Sequence, residues 1–136
     1  VIGERGLVLT IGYLVTEATE VWLVGNNGRA VQGDVVGYDY ETGFGLVQAL
    51  GKLDLPALSL GSARDLRLQQ DVIIAGHGGR SHALKARLAA KREFAGYWEY
   101  VLDEALYTTP PHPNWGGAAL LGADGRLCGI GSLYID

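Results

Sequence analysis

Short apolar runs separated by glycine repeat along the whole chain, and this punctuation limits the fold more than any other feature. Twenty-one of the 136 residues are glycine. Between them lie residues 7–15 (LVLTIGYLV), 21–24 (VWLV), 30–39 (AVQGDVVGYD) and 43–50 (GFGLVQAL). A second series follows at 71–77 (DVIIAGH), 97–104 (YWEYVLDE), 118–121 (AALL) and 126–135 (RLCGIGSLYI). Most are rich in β-branched or aromatic residues and too short for free-standing helices, so they read as strands. GNNGR at 25–29 and GADGR at 122–126 supply hairpin chemistry, since Asn-Gly and Asp-Gly tolerate the positive φ of a tight turn. Strands at this spacing predict an all-β barrel or sandwich.

One segment dissents. Residues 81–94 (SHALKARLAAKREF) are strong helix formers by propensity. Their place between two strand-like runs predicts a strand instead, because sheet context overrides local preference. Residues 51–70, with Pro56 and a Gly-Ser turn, read as the connection between two halves.

Composition removes several function classes. The length suits one domain with a real core. No apolar run is long enough to span a bilayer. A net charge of −4 with no long block of one sign argues against a nucleic-acid partner or an anionic membrane surface. The cluster Lys85, Arg87, Lys91 and Arg92 reads as a solvated face. Cys128 is the only cysteine, so it forms no internal disulfide, and its apolar setting predicts a buried, inert thiol. His77, His82 and His112 lack ligand-like spacing, so no metal is expected, and no cofactor either. The chain starts at Val1 and has no methionine, which reads as an excerpt of a longer chain.

In order and spacing, the landmarks resemble a trypsin-like serine protease domain of the HtrA/Deg type. GLVLTIGYLV is similar to the family's G-L-I-L-T-N-x-H-V-V, and DYETGFGLV to D-x-x-x-D-L-A-L-L. LPALSLGSARDLRLQQDVIIAGHGG resembles L-P-x-L-x-L-G-x-S-x-x-L-x-x-G-x-x-V-x-A-I-G-x-P. NWGGAALLGADGRLCGIGS resembles N-S-G-G-P-L-x-x-x-x-G-x-V-I-G-I. The resemblance implies a double six-stranded β-barrel, here an excerpt lacking the first strand and the C-terminal closing elements. It implies an N-terminal barrel at about 1–55, a connection at 56–70 and a C-terminal barrel at 71–136. It further implies a bacterial envelope or periplasmic setting and, in many members, a PDZ domain downstream.

The same resemblance places the catalytic histidine at Tyr13, the aspartate at Gly43 and the serine at Trp115. The triad needs a hydroxyl to attack, an imidazole to take its proton and a carboxylate to orient that imidazole. Tyrosine, with a pKa of about 10, is a poor base near neutrality. Glycine has no carboxylate, and the indole has no nucleophilic atom. The second oxyanion donor would come from the N–H at residue 113, which is proline and has none. Losing one such donor removes about 2.7 to 4 kcal/mol of transition-state stabilisation. The loop is also longer: Asp103 to Trp115 is twelve steps where the family has eight, with the extra residues around TTPPHP.

No other serine rescues the site in sequence. Ser81 and His82 are adjacent and would face opposite sides of a strand. Asp39 and Glu41 lie near position 43 but supply no nucleophile. Trp115 is expected to fill the vacated cleft, with Gly116 and Gly117 kept for turn geometry. The sharper expectation makes Tyr13, His112 and Trp115 a recognition surface for a peptide or protein segment. The chain is thus expected to be an inactive serine protease homologue used as a binding or regulatory module. The alternatives are an active endopeptidase with a different arrangement and an inert structural domain.

Overall fold

A computed structural model of the chain describes residues 1–95 and 101–134. It is all-β, with two curled antiparallel sheets and short 3-10 turns. The chain divides into two compact units, 1–58 and 59–136.

The first unit holds β1 (Leu7–Ile11), β2 (Val21–Val24), β3 (Ala30–Tyr38) and β4 (Phe44–Ala49), in the order β1-β4-β3-β2. Its register centres on Val47, which lies between Val8 of β1 and Val35 of β3 and is 1% exposed. Alternation along β4 buries Gly45, Val47 and Ala49 on one face. Ile11, Val15 and Leu53 are also buried.

The second unit holds β5 (Asp71–Ala75), β6 (Leu84–Ala95), β7 (Val101–Thr109), β8 (Ala119–Leu121) and β9 (Leu127–Ile130), in the order β7-β6-β5-β8-β9. Leu66, Val72, Ile74, Ala86, Leu88, Ala118 and Leu120 form its core. Residues 59–70, read above as a connection, are bonded into this unit. The Gly61 N–H donates to the Leu127 carbonyl and the Gln69 N–H to that of Leu88. The resembled fold has six strands per barrel; the described residues form four in one sheet and five in the other.

The two glycine hairpins have the same wiring. Gly25 N–H donates to Arg29 O, Gly28 N–H to Gly25 O, and the Asn27 side-chain oxygen accepts from Arg29 N–H. Gly122 donates to Arg126 O, Gly125 to Gly122 O, and Asp124 accepts from Arg126 N–H. The side-chain oxygen thus closes both turns from inside.

Residues 84–95 are strand, as expected from their context. Leu84, Ala86 and Leu88 point inward while Lys85 and Arg87 point out, a period of two hidden inside a helical composition. Three readings need correction. Cys128 is half-buried against the core rather than fully buried, with its thiol 3.6 Å from the Arg126 carbonyl oxygen. Lys91 is not on a solvated face: its ammonium donates to the Ala63 carbonyl (2.8 Å) and its side chain is largely covered. The last predicted run is strand only over Leu127–Ile130. Residues 97–100 of the predicted strand at 97–104 lie outside the described residues.

Candidate functional site

In the first unit, the backbone brings positions 13 and 43 together. β1 ends at Ile11 and the chain enters a 3-10 turn, Gly12–Leu14, closed by Val15 N–H donating to Gly12 O (3.0 Å). Gly12 N–H in turn donates to Gly43 O (2.6 Å). This bond fixes the Tyr13 backbone beside the loop that carries Gly43, and Tyr13 is half-buried there. A side chain at residue 12 would run into the Tyr38 ring within 2 Å, so that ring lies directly on the turn. Tyr38 contacts Tyr40 edge-on at 4.5 Å, and Tyr40 is largely exposed. Neither tyrosine was singled out from sequence; the period of two along 30–39 was the signal that places Tyr38 on a defined face.

Gly43 has φ of +81° and is buried. L residues with a Cβ rarely adopt that conformation. The position therefore has no carboxylate, and its backbone favours glycine over most L residues. The acid bonded into this loop is already used. Asp39 accepts the Glu41 N–H (3.1 Å) and the Thr42 hydroxyl (2.6 Å), and its own carbonyl accepts Gly43 N–H. The Thr42 hydroxyl and then the Glu41 amide hold this carboxyl below the ordinary aspartate range, although the group is exposed.

In the second unit, Trp115 stands in a turn closed by Ala118 N–H donating to Trp115 O (3.1 Å). Gly131 then ties the turn twice: Gly117 N–H donates to Gly131 O, and Gly131 N–H to Ala118 O. A Cβ at residue 131 would sit 2.0 Å from the Trp115 carbonyl oxygen, so the turn rests on bare backbone. Gly117 has φ of +77°, in keeping with its expected turn role. Trp115 itself is half-buried, and Pro113 is exposed.

His112 departs from the expected recognition surface. It is 4% exposed and both ring nitrogens are engaged. Asn114 N–H donates to Nδ1 (2.9 Å), so the ring proton sits on Nε2, which donates to the His82 carbonyl oxygen (2.6 Å). The imidazole is a cross-tie between two loops.

Ser81 and His82 do meet, contrary to the strand-based expectation. They lie in a 3-10 turn, Arg80–His82, with Oγ 3.1 Å from Nδ1. The same Nδ1 is 2.9 Å from Gly78 O. A carbonyl can only accept, so Nδ1 carries the proton and has no lone pair for the serine hydroxyl. In this geometry the pair is no nucleophile–base couple. Among the described residues, no group of three or more His, Cys, Asp or Glu is placed to hold a metal ion. No described helix is long and apolar enough to cross a membrane.

Comparison with known proteins agrees with this architecture. A family model for the trypsin-like peptidase domain matches residues 1–130. The chain belongs to that family. It is 26% identical over 133 residues to a probable periplasmic serine endoprotease, DegP-like, of Halomonas elongata, covering 97% of this chain and 28% of that protein. It is 24% identical over 144 residues to serine protease HTR4 of Rattus norvegicus, covering 99% and 29%. The chain thus spans under a third of the length of these relatives. Among solved structures it is similar to the HtrA-type protease AlgW with decapeptide, at a TM-score of 0.83 and 21% identity, covering 100% of this chain and 42% of that one. AlgW with tripeptide matches at 0.78 and 22%, covering 96% and 44%.

Proposed function

We propose that this trypsin-like domain has lost serine-protease chemistry and acts as a protein- or peptide-binding or regulatory module. The observation that carries the reading is at Gly43. Its left-handed backbone, bonded through its carbonyl to Gly12, supports a loop that has settled around the absence of the acid. Tyr13 and Trp115 remove base and nucleophile, and Pro113 removes a donor. The solved AlgW relatives carry peptides. We extend that capacity to this chain: an extended segment held by edge pairing on the second unit, with Trp115 as its aromatic anchor. The DegP-like relative, a probable periplasmic protein, supports an envelope or periplasmic setting as part of this proposal. The close approach of Ser81 to His82 favours the alternative of an active endopeptidase, but the Nδ1–H orientation toward Gly78 O weighs against it.

The test is a screen of immobilised extended peptides against the intact protein and its Trp115→Ala variant. The reading expects at least one sequence class to bind, with affinity falling about tenfold or more in the variant, as for an aromatic anchor. No binding to any class would leave the domain as an inert scaffold.

A further inference from the structure

The group left unused by this reading is His112, a buried imidazole bonded at both nitrogens. Its surroundings give those bonds unusual weight. Residues 110, 111 and 113 are proline and have no N–H, so this stretch has few donors of its own. The imidazole spans thirty residues of sequence to reach His82 O, and its Cε1 lies against Gly76, where an added Cβ would meet it at 3.2 Å. Two residues beyond Asn114's neighbour Trp115 the chain is pinned again, by Gly117 to Gly131. The Trp115 turn thus has two anchors: the backbone pair behind it, and the ring in front.

The two anchors answer differently to acid. The backbone pair carries no titratable group. The ring needs one acceptor and one donor at the same moment, which only the neutral imidazole supplies. A second proton turns Nδ1 into a donor facing the Asn114 N–H, and it places a charge in a buried site with no carboxylate bonded to it. The titratable and charged groups on the packed segments are His77, Arg80 and His82, with Lys85 on the strand that follows. Lys85 is paired with Asp71 (3.1 Å), and the His82 ring is bonded to Gly78 O and Ser81. The loop of His112 itself, 110–117, has no other ionisable side chain.

We propose that His112 is a protonation-sensitive latch that holds the front of the Trp115 turn to residues 76–82 and opens as the pH falls. Opening frees the Asn114 N–H and the His82 carbonyl together and leaves the Gly117–Gly131 pair closed. The Nε2–H can donate to the His82 carbonyl in either protonation state, so opening is driven by the lost acceptor at Nδ1 together with the cost of burying the charged ring, and it holds whether or not the domain binds peptide.

The test is amide hydrogen exchange and ring ¹⁵N NMR on the intact, isotope-labelled protein across an acid titration. At neutral pH, His112 shows the Nε2–H tautomer and Asn114 is protected. As the His112 ring takes its second proton, Asn114 protection falls about tenfold or more after correction for intrinsic exchange, while Gly131 and Val72 stay protected. His77→Gln and His82→Gln keep this response, because the latch uses only the backbone carbonyl of residue 82. His112→Gln abolishes the pH dependence at Asn114. Asn114 protection that survives protonation of His112 would overturn the latch. So would loss of protection at Val72 in the same step, since that is unfolding of the unit rather than local release.

Discussion

At Gly43 the backbone opposes an added side chain. With φ of +81°, a Cβ there incurs about 1 to 2 kcal/mol of strain. Gly43→Asp is therefore expected to lower stability by up to about 2 kcal/mol in chemical denaturation, and Gly43→Val by more, since Asp tolerates this region better than β-branched residues. Equal losses for Asp and Val would show that φ is not the obstacle. The neighbouring Asp39 gives a pH signature. Its carboxyl is held below the ordinary range by Thr42 and Glu41, so its contribution is present above the unfolded aspartate pKa and disappears as pH falls through the lower folded one. In Asp39→Asn the acid-side change in the Glu41 amide shift should vanish. The expectation at residue 43 rests on the ordered landmarks, because spacing survives substitution. Its φ was not legible, since glycine marks many conformations. For His112 the favoured expectation was a surface or hydrogen-bonded loop residue; the hydrogen bonds are there, and its burial was not legible from sequence.

Residues 84–95 were legible only through their neighbours. Leu, Ala, Lys and Arg favour helix, but the inward period of two over Leu84, Ala86 and Leu88 fits a sheet bounded by β5 and β7. Tertiary packing decides the outcome, and Leu88, 0% exposed, is at its centre. Leu88→Ala is expected to destabilise the protein by about 2 to 5 kcal/mol in denaturant titration. A loss under 1 kcal/mol would mean that the cavity collapses freely. Lys91 was read as solvated because its charge suggests water. Its stem instead crosses covered surface to reach Ala63 O, as long amphipathic side chains do. Ser81 and His82 were placed on opposite faces because a strand was assumed to start at 81. It starts at Leu84, after a turn that lets the two side chains meet.

At the scale of the molecule, fold and chemistry rest on different residues. The family's sheets need alternating apolar positions and glycine turns, and both are kept; the triad needs three particular side chains, and Tyr13, Gly43 and Trp115 are none of them. This is why the fold was readable at low identity, while lost activity stays a proposal that rests on the residues expected at the triad positions. Restoring serine alone is not expected to restore function. Trp115→Ser gains a hydroxyl but no base, and Pro113 still offers no N–H. The most direct measurement is active-site titration of the intact wild-type protein with a fluorophosphonate, beside the Trp115→Ser variant. We expect no stoichiometric serine labelling in the wild type and at most slow labelling in the variant. Stoichiometric labelling of any wild-type serine, Ser81 above all, would contradict the account.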